Sequence, residues 1–173
     1  MVMKKFFLIL LLTITFNHIV VADSPHFIDF KLILNQSDAG KKAQSFLKNK
    51  LEKGIKSLKE KEKKLQDEER KLIEQKKIIS TDEYKKKVAD LRSKVSSLQK
   101  ERNSLLQSVA KQRSKAKNEL LKNLNPIVKN YMEEKKIRVV LDKKNILLAD
   151  ENLDITKDVM SLLNQKIKSI KLN

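Results

Sequence analysis

Apolar residues recur every seven positions through the first half of the chain, at Leu51, Leu58, Leu65, Leu72 and Ile79. Phe46, Leu47 and Ile55 widen this stripe at its start, whereas Glu62, Glu69 and Lys76 fill the companion positions farther along. The seam therefore narrows with distance. At Ser80-Thr81-Asp82-Glu83 the pattern stops. Ser80 can cap a following helix while Glu83, three residues on, reaches back to the cap, which is a capping-box pattern. From Tyr84 the period restarts as Tyr84, Val88, Leu91, Val95, Leu98, Leu105 and Val109, with Arg102 in one seam position. It then drifts to Ala116, Leu120, Leu124, Ile127 and Tyr131. Alternating spacings of three and four residues make a coiled-coil seam. Two such helices joined by a tight break predict an antiparallel hairpin over residues 39–135, with its tip near 80–83. Its first helix, Ala39 to Ile79, would be about 60 Å long at ~1.5 Å per residue. Pro126 falls inside the return helix, where it removes one backbone bond. It is expected to bend or interrupt the helix near Asn125, and is the candidate hinge at the root of the arm.

Outside the hairpin the pattern changes. Phe27-Ile28-Asp29-Phe30, just after Pro25, reads as a strand, followed by Leu32, Ile33 and Leu34 at the start of a short helix ending near Asn35. Farther on, Ile137, Val139, Val140 and Leu141 predict a second strand, Lys143-Lys144-Asn145 a turn, and Ile146-Leu147-Leu148 a third strand. Thr156 can cap a closing helix with apolar positions at Val159, Leu162, Leu163, Ile167 and Ile170. Residues 23–38 and 136–173 together make only 54 residues, split by the long insertion. A unit this small buries little core and needs a staple or a partner. Without a single cysteine the chain has no disulfide and no thiolate metal site. Oligomerisation remains, with Phe27, Ile28, Phe30, Val139, Val140, Leu141, Ile146, Leu147 and Leu148 as the residues of a shared β body. The expected fold is thus mainly α, a long antiparallel coiled-coil arm inserted into a small β oligomerisation body.

Composition sharpens this picture at two points. Only two glycines, two prolines and no tryptophan occur in 173 residues, as expected of long helices. Residues 1–22 read as a secretory signal: Lys4 and Lys5, an apolar run from Phe6 to Leu12 that weakens toward Phe16, and a close at Val20-Val21-Ala22. The run is shorter than the ~20 apolar residues of a membrane span, which favours cleavage near Ala22 over an anchor.

Charge is concentrated on the arm. Between Ala39 and Lys135 there are 28 Lys/Arg against 14 Asp/Glu, while the rest of the expected mature chain carries 9 against 8. Such a field steers acidic or polyanionic partners toward the arm. Three classes fit: unfolded acidic polypeptide, anionic lipid or lipopolysaccharide, and nucleic acid. Export argues against nucleic acid, as does the lack of aromatics interleaved with the basic residues. A structural envelope coiled coil is the other alternative, although a spacer needs neither an exposed apolar seam nor so large a charge. Candidate contacts to a bound polypeptide are Leu65, Leu72, Ile73, Ile78, Ile79, Tyr84 and Val88, with Lys76, Lys77, Lys85, Lys86 and Lys87. Ile73, Ile78 and Ile79 could equally staple the hairpin tip.

Candidate chemistry is sparse. His18 lies in the signal segment, and His26 stands alone beside a strand. Gly40-Lys41 resembles the end of a phosphate loop, but Asn35 occupies the position of the required glycine. Asp150, Asn152 and Asp154 copy the first ligands of a calcium loop, yet Ile155 and Ser161 stand where glycine and glutamate are needed, so turn and cap roles are expected. Asp67-Glu68-Glu69 has no buried partner to tune a pKa. No enzyme, cofactor or metal is expected.

The order of elements resembles the Skp/OmpH family of periplasmic chaperones. The resemblance rests on Leu32-Ile33-Leu34-Asn35-Gln36-Ser37 followed by Ala39-Gly40-Lys41-Lys42-Ala43, and on Asn125-Pro126-Ile127 in the return helix. It also rests on Val139-Val140-Leu141-Asp142, Asp150 and Leu153-Asp154-Ile155-Thr156 near the end. It implies a homotrimer in the periplasm, with three arms around a cavity that holds unfolded outer-membrane proteins without ATP.

Overall fold

The computed structural model describes residues 24–172, so the secretory-signal reading of residues 1–22 lies outside the described residues. Strand β1 (His26–Ile28) stops two residues before the expected end, because Asp29 caps helix α1 (Phe30–Gln36). Its Oδ1 accepts from the Leu32 amide at 2.7 Å. Ser37 then closes α1 and opens helix α2 (Asp38–Gln75): its amide donates to Ile33 O while its Oγ accepts from the Gly40 amide. The two helices pack so tightly here that a Cβ on Gly40 would lie 2.2 Å from the carbonyl oxygen of Leu34.

Helix α2 ends at Gln75, short of the expected Ile79, and a turn carries the chain to Ser80. Ser80 Oγ accepts from the Glu83 amide at 3.2 Å and caps helix α3 (Thr81–Lys135). The Glu83 carboxylate turns to Lys87 Nζ, 3.2 Å away, so the cap has one half of the expected box. Helix α3 continues through Pro126 to Lys135, so the expected interruption is absent. The proline costs one amide donor, whereas Leu124 and Ile127 beside it are buried and hold their turns in place. Pro126 itself is exposed. Lys136, in the left-handed region at φ 57°, ends the helix.

Strand β2 (Val140–Asp142) pairs in parallel with β1, setting His26 opposite Val140 and Ile28 opposite Asp142. The other side of β1 is taken by Asp154 and by the Ile155 amide, which donates to Phe27 O at 3.0 Å. Both edges of β1 are thus used. Ile146-Leu147-Leu148 does not join the free edge of β2 as a strand: Asp142 caps a 3-10 turn over residues 143–145, and Leu147 and Leu148 emerge fully exposed. A second 3-10 turn over 151–153 leads to helix α4 (Thr156–Lys166). Thr156 is its first residue rather than its cap; Thr156 Oγ1 accepts from the Asp29 amide and Asp154 Oδ1 accepts from the Thr156 amide. Ile167 and Ile170 lie beyond the helix, in an irregular tail.

The core sits where these pieces meet. Ile28, Ile33, Leu124, Val159 and Leu163 are fully buried, with Leu120, Ile127, Tyr131 and Ile137 around them. It therefore reaches beyond residues 23–38 and 136–173 into the root of α3, which supplies the apolar surface that the small body lacks.

Tyr131 gives this junction a pH signature. Its hydroxyl donates to Asp158 Oδ2 at 2.6 Å, and burial, reinforced by that bond, pushes the phenol up to about 12. The folded value lies above the ordinary one of 10.0, so the contribution is complete below pH 10 and is lost as pH rises through 12. Tyr131→Phe is expected to lower stability by about 1 kcal/mol at neutral pH. Urea unfolding of both proteins from pH 8 to 12 should show the difference between them shrinking toward the top of that range.

Candidate functional site

The arm is made of α2 and the outer part of α3, packed along a thin seam. Leu58 and Leu72 are buried in it, while Leu51, Leu65, Tyr84, Val88, Leu91, Leu98, Leu105 and Val109 are half-buried. Val95 remains 53% exposed. Gly54 makes the hole for one knob: a Cβ there would meet Leu105 Cδ2 at 2.5 Å. Charged residues pair across the hairpin, both in the apolar repeat, at Arg102 and Glu62, and beside it. Arg102 reaches Glu62 at 3.4 Å, Lys94 reaches Glu68 at 2.8 Å, and Lys61 pairs with Glu101. Lys50 donates to Ser108 Oγ and Gln112 Oε1, both at 2.9 Å. These pairs are half-exposed and screened, so they set register more than they add stability.

Midway along the arm the helices leave an open cleft of about 400 Å³, lined by Leu65, Leu91, Val95 and Leu98 with Glu62 and Arg102. It can take apolar side chains beside polar groups of either sign. At the tip, Ile73 is 61% and Ile78 is 82% exposed, so both side chains are open to solvent; Ile79 is half-buried. Lys76 Nζ lies 5.9 Å from the Tyr84 ring centroid, a cation–π contact across the turn. Lys87 is tied to Gln75 and Glu83, and Lys85 lies 3.9 Å from Asp82. Lys77 and Lys86 are exposed beside them. Among the expected surface contacts, Leu72 is the exception: it is buried within the hairpin.

In the body, Phe27 and Ile28 belong to the chain's own core, and Phe30, Val140 and Ile146 are half-buried. Val139, Leu141, Leu147 and Leu148 are exposed. Asp150 Oδ1 accepts from the Asn152 amide and caps the 3-10 turn, while Asp154 Oδ1 accepts from the Thr156 amide in a local turn. Hydrogen bonds from backbone and side chain, together with Lys143, hold Asp154 below the usual carboxylate range against the opposing effect of burial. No group of three metal-ligating side chains occurs among the described residues. No helix among them is long and apolar enough to cross a membrane. Sequence patterning missed the Gly40 contact, and it missed the cap that Asn164 Oδ1 gives the Asp38 amide. Neither leaves a periodic signal.

The family model for outer membrane proteins of the OmpH-like type matches residues 26–163. No match was found among curated proteins. Among solved structures, a candidate outer membrane chaperone (OmpH-like) from Caulobacter crescentus CB15 shares the fold with a TM-score of 0.79. The two are 23% identical over 86% of this chain and 89% of that one.

Proposed function

The chain belongs to the OmpH-like outer membrane protein family, and from that premise we propose an ATP-independent holding chaperone of the periplasm. In this reading it binds unfolded outer-membrane proteins between basic coiled-coil arms and prevents their aggregation. The observation that carries it is the arm's combination of an unfilled apolar seam with a net positive surface. Val95, Ile73 and Ile78 are open to solvent, and the cleft at Leu65 and Leu91 has room for apolar side chains. Lysine stems extend these contacts, and the charged heads attract acidic stretches of a disordered client.

Client contacts are assigned to Leu65, Ile73, Ile78, Ile79, Tyr84 and Val88 with Lys76, Lys77, Lys85, Lys86 and Lys87. Three copies would close the cavity. The exposed Val139, Leu141, Leu147 and Leu148 support sharing of the body between subunits, because four large apolar side chains within ten residues of sequence are left in water. Pro126, which removes one backbone bond from the continuous helix, is where the root of the arm would flex.

The test is light scattering of a urea-denatured outer-membrane β-barrel diluted with and without the purified protein. Aggregation is expected to fall at near-stoichiometric amounts without ATP. The effect should weaken several-fold between low salt and ~0.5 M, where the Debye length drops to a few Å. Unchanged aggregation would refute the holding function; suppression indifferent to salt would remove its electrostatic half. Vesicles with anionic lipid or lipopolysaccharide, tested as competitors, separate client binding from general polyanion binding.

A further inference from the structure

Helix α4 is followed by a segment that lies beyond the residues matched by the family model. At Ile167 the backbone turns to φ −136° and ψ 134°, and residues 167–172 run as irregular chain against the root of the arm. Each element of that root is engaged. Lys168 Nζ lies 2.8 Å from Asp38 Oδ2 in the first turn of α2. Gln112 Nε2, on α3, donates to the carbonyl oxygen of Leu172 at 2.9 Å. Leu172 itself is 5% exposed and packs with Ala43 and Leu47 of α2 and Ala116 of α3. Ile170 touches both this cluster and the main core, and Ile167 packs on the main core.

The side chains explain why the segment settles there. Two alanines, Ala43 and Ala116, stand at a level of the hairpin where a coiled-coil seam ordinarily carries larger residues, so the helices leave a shallow groove. Leu172 fills it. The apolar residues Ile167, Ile170 and Leu172 face the protein, while Lys168, Ser169 and Lys171 are exposed. The Lys168–Asp38 pair is largely solvated and adds little, so the anchor is the buried leucine with its hydrogen-bonded carbonyl.

We propose that residues 167–172 are a strap that fastens the root of the arm to the body and limits how far the hairpin swings. The strap joins α4 to both helices of the arm at one level. Because α2 is 38 residues long, about 57 Å at ~1.5 Å per residue, a small rotation permitted at the root becomes a large displacement at the tip. A closed strap therefore sets the spread of the arm whatever the arm holds.

The absence of cysteine makes the test direct. Spin labels on Ser97→Cys in the arm and Ser161→Cys in α4, both exposed sites, report the arm-to-body distance in full-length protein diluted with unlabelled chains. Deleting residues 167–173 is expected to broaden that distance distribution. It should also speed amide exchange at residues 43–47 and 112–116 by about tenfold or more. Leu172→Asp, which places a charge in the apolar groove, should reproduce both effects in a chain of full length. If the deleted chain does not fold, the point variant decides. Unchanged distances and exchange in a variant that keeps its helicity would overturn the strap.

Discussion

Gly40→Ala is expected to destabilise the protein by about 3 kcal/mol, at the upper end of what overpacking costs. The added methyl would sit 2.2 Å from Leu34 O and 2.9 Å from Leu34 C, both backbone atoms that no rotamer change can move. Relief requires α1 to shift as a unit away from α2. That shift would pull Ile33 out of the core and stretch the Ser37 contacts that join the two helices. Alanine is the better helix former by about 1 kcal/mol, which offsets only part of the clash. Gly54→Ala is the matched control. There the new methyl meets Leu105 Cδ2 and Cδ1 at 2.5 and 2.7 Å, the flexible end of a half-buried side chain on the arm. Leu105 can turn aside, so the clash and the gain in helix propensity should nearly cancel. Thermal unfolding at equal chain concentration should place Gly40→Ala roughly 10 °C below the parent and Gly54→Ala within a few degrees of it. Equal losses in the two variants would show that the contact with Leu34 O is not what requires glycine at position 40.

The contrast between these glycines marks what periodicity can reveal. The hairpin was legible because Leu51, Leu58, Leu65 and Leu72 repeat on one face and Ser80 announces the next helix. Charge placement on the arm was legible for the same reason. The limits of the elements were less so. Phe30 looks like a strand residue, but Asp29 offers its carboxylate to Leu32 and the helix begins there. Ile146, Leu147 and Leu148 have strand propensity, yet Asp142 caps a 3-10 turn over residues 143–145 and the chain does not return to the free edge of β2. Pro126 signals a break by its own chemistry, and the buried Leu124 and Ile127 override it. Contacts between segments far apart in sequence, such as Asn164 capping Asp38 or Gln112 holding Leu172, carry no local pattern at all. On the candidate site, sequence reasoning found the apolar seam and the lysines but could not separate Leu72, which the hairpin buries, from Ile73, which it leaves exposed.

Stability and holding should separate when the root and the arm are altered in turn. Leu124 is fully buried where β1, α1, α3 and α4 converge, beside Ile28, Ile33 and Leu163. Leu124→Ala removes its contacts and leaves a cavity that four packed elements can collapse into only partly, at a cost of about 3 kcal/mol. Leu91 and Val95 line the open cleft of the arm, half-buried and 53% exposed respectively. Replacing both with alanine gives up little buried area, so a loss of about 1 kcal/mol or less is expected. Holding should respond in the opposite order. At a temperature where every variant is folded, Leu124→Ala should suppress aggregation of a denatured β-barrel as well as the parent does. The double variant Leu91→Ala, Val95→Ala should need several-fold more protein for the same suppression, because each lost contact is one of few that a disordered client can make there. Circular dichroism melts and light scattering on the same preparations give both quantities. A folded Leu124→Ala protein that fails to hold, beside an unimpaired cleft variant, would move client binding from the arm to its root.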